Sequence, residues 1–223
     1  MTDQPLVKIN TDNAAITASQ SGGDLTEFAK VTQSGTYLPR LQLMSSNSDK
    51  CKSGDFPINH YALVRDQTFI DLGMDVDILI IAWRPKALDI GGEELVTSFD
   101  QESTTFKDIQ ERSGSPNSGC MYGPEFLVYF AAQEAYATFF MGSKSSRREA
   151  PNVIAKLQGS GTLTSKLVET KRFKWQTPII KGCSTPFDIP ETADVQEQVD
   201  KFLNPKSSDL EVAEDAGDDP RAR

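Results

Sequence analysis

The chain has a single histidine, His60, and only three cysteines, Cys51, Cys120 and Cys183, set far apart. No two of these four lie at the close spacing that structural zinc sites use, which argues against a metal centre. An odd, scattered cysteine set also argues against a disulfide framework and for a reducing compartment. No serine sits in a nucleophile elbow, and no glycine-rich loop ends in Gly-Lys-Ser/Thr. The acid pairs Asp75/Asp77 and Glu93/Glu94 are of a kind common on exposed turns and strand ends. Neither catalysis nor a cofactor is therefore expected. Long hydrophobic runs are missing too. The longest, Ile78 to Trp83, falls far short of the roughly 20 residues a helix needs to cross a bilayer. The opening Met1-Thr2-Asp3-Gln4-Pro5 has neither the basic head nor the apolar run of a signal peptide. A cytoplasmic location is expected, with no membrane partner.

Hydrophobic residues make up 38% of the 223 residues, and the deficit sits at the two ends. Residues 1–36 are rich in Thr, Ser, Asn, Gly and Ala, and the last 19 hold no aromatic residue. Such stretches bury too little apolar surface to offset chain entropy. The expected organisation is a flexible arm over 1–36, one β-rich domain over 37–185, a linker with a short amphipathic helix over 186–205, and a disordered acidic tail over 206–223.

Within the body, the alternation from Tyr37 to Met44 predicts a strand, and so do Ile58 to Val64 and Val76 to Trp83, the last closed by Pro85. Glu93 to Phe99 predicts a short strand and Thr104 to Arg112 a helix. A hairpin follows over Phe126–Phe130 and Tyr136–Met141. The next helix is expected over Ala150–Leu157, since Pro151 suits only a first turn. A last hairpin is expected over Thr162–Glu169 and Arg172–Ile180. Val195, Val199 and Phe202 recur at helical spacing between Thr192 and Leu203. The string matches a mostly β fold with one or two short helices. An OB-like Greek-key barrel with a large insertion between Pro85 and Pro124 accommodates it.

Charge is divided unevenly. From Met141 to Cys183 nine basic residues face two acids, an excess of seven positive charges. From Ser184 to Asp219 eleven acids face only Lys201 and Lys206, an excess of nine negative charges. The net charge of −9 averages over these opposite regions. A basic segment carrying aromatics, followed by an acidic tail, is the pattern of a polyanion binder with a tethered competitor.

Two basic segments are candidate contacts. Lys171-Arg172-Phe173-Lys174-Trp175 interleaves cations with flat rings, which suits single-stranded nucleic acid: phosphates pair with the cations and bases stack on the rings. On a strand, Lys171, Phe173 and Trp175 share one face, and the same pattern fits two core aromatics on a strand with a solvated basic face. Gly142-Ser143-Lys144-Ser145-Ser146-Arg147-Arg148 reads as a basic loop ahead of a helix, offering donors and cations to phosphate or simply capping that helix. Lys166 on the preceding strand joins the set.

This layout resembles the bacteriophage single-stranded DNA-binding proteins of the OB-fold type, through the β-rich body bearing Phe173 and Trp175 among Lys171, Arg172 and Lys174, and through the acidic stretch from Asp209 to Asp219. The resemblance implies non-catalytic, sequence-independent coating of single-stranded DNA during replication or recombination. It also implies replication proteins as partners of the acidic tail. A phage virion or assembly protein with a β-rich body is the alternative.

Overall fold

The computed structural model describes residues 38–65, 68–115, 117–130, 133–171, 173–183 and 192–205. The expected arm over 1–36, the residues 186–190 and the tail over 206–223 lie outside these. The strands are β1 (Arg40–Leu43), β2 (Tyr61–Arg65), β3 (Thr68–Gly73), β4 (Val76–Asp89), β5 (Val96–Ser98), β6 (Cys120–Phe130), β7 (Ala135–Phe140), β8 (Ser160–Glu169) and β9 (Lys174–Gly182). The helices are α1 (Asp49–Lys52), α2 (Thr104–Arg112), α3 (Lys144–Ile154) and α4 (Thr192–Leu203). All strands join one sheet in the order β3-β2-β1-β7-β6-β4-β8-β9, with β5 on β4. The fold is thus mostly β, as expected, but with four helices among the described residues where one or two were expected.

The sheet is strongly curled. Tyr61 on β2 donates from its hydroxyl to the Thr164 carbonyl on β8 at 2.7 Å. Four strands separate β2 from β8 in the sheet order. In a flat sheet that separation would be about 24 Å at the usual strand spacing. The inner face closes around Leu41, Tyr61, Ile78, Ile80, Phe126, Val128, Phe139 and Leu163, with Ala150 and Val153 of α3 completing this core. The outer face carries a second core, where Val195, Val199 and Phe202 of α4 cover Leu79, Ile81, Leu127 and Tyr129. The helix expected within a linker is therefore part of the body.

Several boundaries differ from expectation. Pro85 does not end β4, which runs on to Asp89. Pro85 stands opposite Pro124 in the ladder, and Pro124 turns its carbonyl toward β7, where it accepts from Met141 N at 2.9 Å. The two prolines therefore form a pair with no mutual hydrogen bond. The missing N–H of Pro85 falls on the outer edge of β4, between the stretches paired with β8 and β5. β3 was not expected. Its alternation is broken by Phe69, which packs on the face opposite Ile70 and Leu72, where Asp71 accepts from His60 Nδ1 at 2.9 and 3.0 Å and from Gly73 N at 2.8 Å. Helix α3 starts at Lys144, not near Pro151, and Pro151 lies inside it. Proline there removes one helical bond. The N-terminal half of α3 is held instead by its cap and by packing, as described next.

Candidate nucleic-acid interface

The β8–β9 hairpin is closed at its tip by Thr170. Its amide donates to the Phe173 carbonyl at 2.9 Å, and its hydroxyl oxygen accepts from Phe173 N at 3.0 Å. Lys171 and Phe173 therefore belong to the turn, and β9 begins only at Lys174, later than the expected Arg172. Arg172 itself lies outside the described residues. The ladder pairs Lys166 with Thr177 and Val168 with Trp175, and Thr170 with Phe173 extends the same side by one step. Along that side exposure rises outward: Thr177 is buried, Trp175 half-buried, and Phe173 61% exposed.

The inner part of this side meets α3. Ser143 caps the helix, accepting from Ser146 N at 3.2 Å. Its hydroxyl also contacts the hydroxyls of Ser145 and Ser146 at 3.2 and 2.8 Å. Such a cap fixes where the helix begins, so the expected basic loop is in fact a capped first helical turn. Trp175 Nε1 donates to Ser145 Oγ at 3.0 Å. One turn further on, Glu149 accepts from Lys166 Nζ and from Asn152 Nδ2. These contacts seat the start of α3 against the hairpin, so the two basic segments become neighbours.

Their residues are not equivalent. Lys144, Arg148 and Lys171 are exposed and make no ion pair among the described residues. Lys166 pairs with Glu149, and Lys174 with Glu169 across the ladder at 2.7 Å. Arg147 is committed to the fold. Its guanidinium lies 3.9 Å from the centre of the Tyr122 ring and donates to the carbonyls of Tyr122 and Gly142. Gly123 beside it admits this approach, because a Cβ there would sit 3.1 Å from Arg147 Cγ and 2.3 Å from the Met141 carbonyl oxygen. The described part of the face thus holds four cations, Lys144, Arg148, Lys166 and Lys171, against Glu149, while the Lys174–Glu169 pair, one step along the ladder from Trp175 and Val168, lies on the opposite side of the hairpin. Trp175 is tied to Ser145, leaving Phe173 as the most exposed ring beside those four cations.

Sequence reasoning did not single out Glu149 or Glu169. The Glu169–Lys174 pair follows from correct hairpin register, whereas the Lys166–Glu149 contact depends on where α3 docks. It also passed over a second cluster. Buried Glu125 accepts from Arg84 Nε at 2.8 Å and Lys86 Nζ at 2.6 Å. The Arg84 guanidinium lies 3.6 Å from the Phe99 ring centre and 4.3 Å from that of Phe202, and donates to the Phe202 carbonyl. Burial alone would raise the Glu125 pKa, but Lys86 and Arg84 outweigh it and hold the carboxyl below its usual range.

Elsewhere, burial pushes the Cys51 and Cys120 thiols up. Among the described residues no group of three or more His, Cys, Asp and Glu side chains is placed to hold a metal ion. No helix among them is long and apolar enough to cross a membrane. Comparison with known proteins returned no matching family model, no matching curated protein and no matching solved structure.

Proposed function

We propose that this chain is a non-catalytic, sequence-independent single-stranded DNA-binding protein of a phage replication or recombination system, built on an elaborated OB-like barrel. The observation that carries this reading is the seating of α3 on the β8–β9 hairpin through Trp175–Ser145 and Lys166–Glu149. It gathers two basic segments, 27 positions apart between Lys144 and Lys171, into one exposed face with Phe173 at its rim. Phosphates would pair with Lys144, Arg148, Lys166 and Lys171, and a base would stack on Phe173. Such contacts read no base edges, so they tolerate any sequence.

The test is fluorescence anisotropy of labelled oligothymidine between 0.05 and 0.2 M salt. Each neutralised phosphate contributes about −0.7 to the slope of log K against log salt. Four contacts give a slope of about −3. Affinity that does not change with salt, or that is equal for a duplex of the same length, rejects the reading.

A further inference from the structure

Among the described residues only two aromatic side chains are exposed, Phe173 at the hairpin tip and Trp83 on β4. The ladder sets Trp83 opposite Phe126, Pro85 opposite Pro124 and Ala87 opposite Tyr122, so Trp83, Pro85 and Tyr122 share one side of the β4–β6 pair. That is the side α3 meets. Arg147 lies on the Tyr122 ring, and just past the helix Gln158 N donates to the Ile80 carbonyl at 2.7 Å. The helix therefore runs between the level of Tyr122 and that of Ile80, and Trp83 stands between these two along the ladder. β8 pairs with β4 only as far as Leu79, and β5 only from Ala87, so among the described residues no strand borders Trp83 on that edge.

Successive helical residues turn by about 100°, so Ser145 and Arg147 point to nearly opposite flanks of α3. Ser145 reaches Trp175 of the hairpin, and Arg147 reaches Tyr122 of β6. Lys144 and Arg148 fall between these flanks on the outward side, away from buried Ser146, Ala150 and Val153. We propose that Trp83 is a second base-stacking platform, and that one single strand bridges the hairpin tip and β4 across α3. Its bases stack on Phe173 and Trp83, and its phosphates pair with Lys144 and Arg148 between them. The inference rests on the function proposed above and extends its site to a second part of the sheet. An exposed apolar residue standing alone needs no explanation. Here the two exposed rings flank a helix whose outward side is cationic, which suits a polyanion carrying flat bases and not an apolar peptide. Arg84 and Lys86, beside Trp83 in sequence, are held by Glu125, so Trp83 gains no phosphate contact from them.

Trp83 and Trp175 are the chain's two tryptophans, so in full-length Trp175→Phe the indole emission reports Trp83 alone. The probe is oligothymidine of about 16 nucleotides, the upper site size of one OB fold. Its addition is expected to quench the Trp83 emission in step with binding followed by anisotropy. Trp83→Ala is expected to bind about tenfold more weakly with the salt slope unchanged, since a ring is lost and not a phosphate contact. Trp83→Phe, which keeps a ring, falls between the two. On an abasic strand of the same length, wild type and Trp83→Ala bind equally. The emission readout leaves Trp83 in place, so it decides the matter even where Trp83→Ala does not fold. Emission unmoved at saturation, or Trp83→Ala binding as tightly as the wild type, overturns the inference and leaves the DNA reading standing. An equal loss on the abasic strand also overturns it, because the effect is then not one of stacking. Absence of any salt-dependent oligothymidine binding by the wild type rejects the DNA reading and the inference with it.

Discussion

Two stretches of this chain interleave cations with aromatics, and they are put to opposite uses. Trp83-Arg84-Pro85-Lys86 lies in the middle of β4, and Lys171-Arg172-Phe173-Lys174-Trp175 lies at the β8–β9 tip. In the first, both cations turn to the side covered by α4 to share Glu125, beside Phe99 and Phe202, while Trp83 is 39% exposed. In the second, Lys171, Lys174 and Phe173 are all exposed, and among the described residues Trp175 alone turns in toward α3. Residue types alone do not separate a fold-building charge cluster from a ligand-facing one. Position does: the middle of a strand roofed by Phe99 and Phe202 buries its cations, and a turn beyond the end of a covering helix leaves them out.

The largest effect that tests this contrast is on Glu125. Glu125→Ala leaves Arg84 and Lys86 buried without their carboxylate, and loss of one partner from such a cluster costs about 3–5 kcal/mol. Urea denaturation measures it. Because the Glu125 pKa is held below the ordinary carboxylate range, the stability it adds is present above the unfolded carboxyl's pKa. It is lost as pH falls through the depressed folded value. Acid titration of the wild type should show this loss, and Glu125→Gln, which has no charge to lose, should show less. A Glu125→Ala protein as stable as the wild type would mean the cluster is incidental, and the contrast would fail on its first side.

The second side is sharpened by Phe173→Ala. With its ring 61% exposed, the side chain contributes little packing, and stability should shift by no more than about 0.5 kcal/mol. If the ring is a stacking platform, oligothymidine binding weakens by about 1–3 kcal/mol while the salt slope stays, since no phosphate contact is lost. Unaltered affinity would leave Phe173 as an exposed turn residue and reduce the face to its cations.

How much of this was legible in the sequence follows from the range of the interactions. Local signals worked: the apolar spacing of Phe106 and Ile109 marks α2, and Val195, Val199 and Phe202 mark α4. The extent of β4 was hidden because the cost of Pro85 depends on which edge its missing N–H faces, which is set by β6 and β7. The start of α3 was misplaced because Pro151 was weighed as a local helix signal, while the Ser143 cap and the Trp175–Ser145 bond fix the helix from outside. Most of the basic face was legible as residues but not as a face. Arg147 resembles its neighbours in sequence, and the stacked Tyr122 ring together with the Tyr122 and Gly142 carbonyls removes it from the ligand side.

Trp175 stands on the boundary between the two uses, and Trp175→Phe carries the smallest and most discriminating effect. Phenylalanine keeps an aromatic ring opposite Val168 and deletes the indole N–H that reaches Ser145. Ser145 Oγ still has Ser143 Oγ at 3.2 Å, so no hydroxyl is orphaned. The loss is one hydrogen bond, about 1 kcal/mol by thermal or urea unfolding. Because that bond seats α3 on the hairpin, the two basic segments should separate slightly. Oligothymidine affinity then falls only about twofold, within the range of losing part of one charge contact. A tenfold loss of affinity with stability intact would place Trp175 on the ligand itself. Trp175 would then belong with Phe173 on the exposed face, and burial beside α3 would no longer mark where structure ends and binding begins.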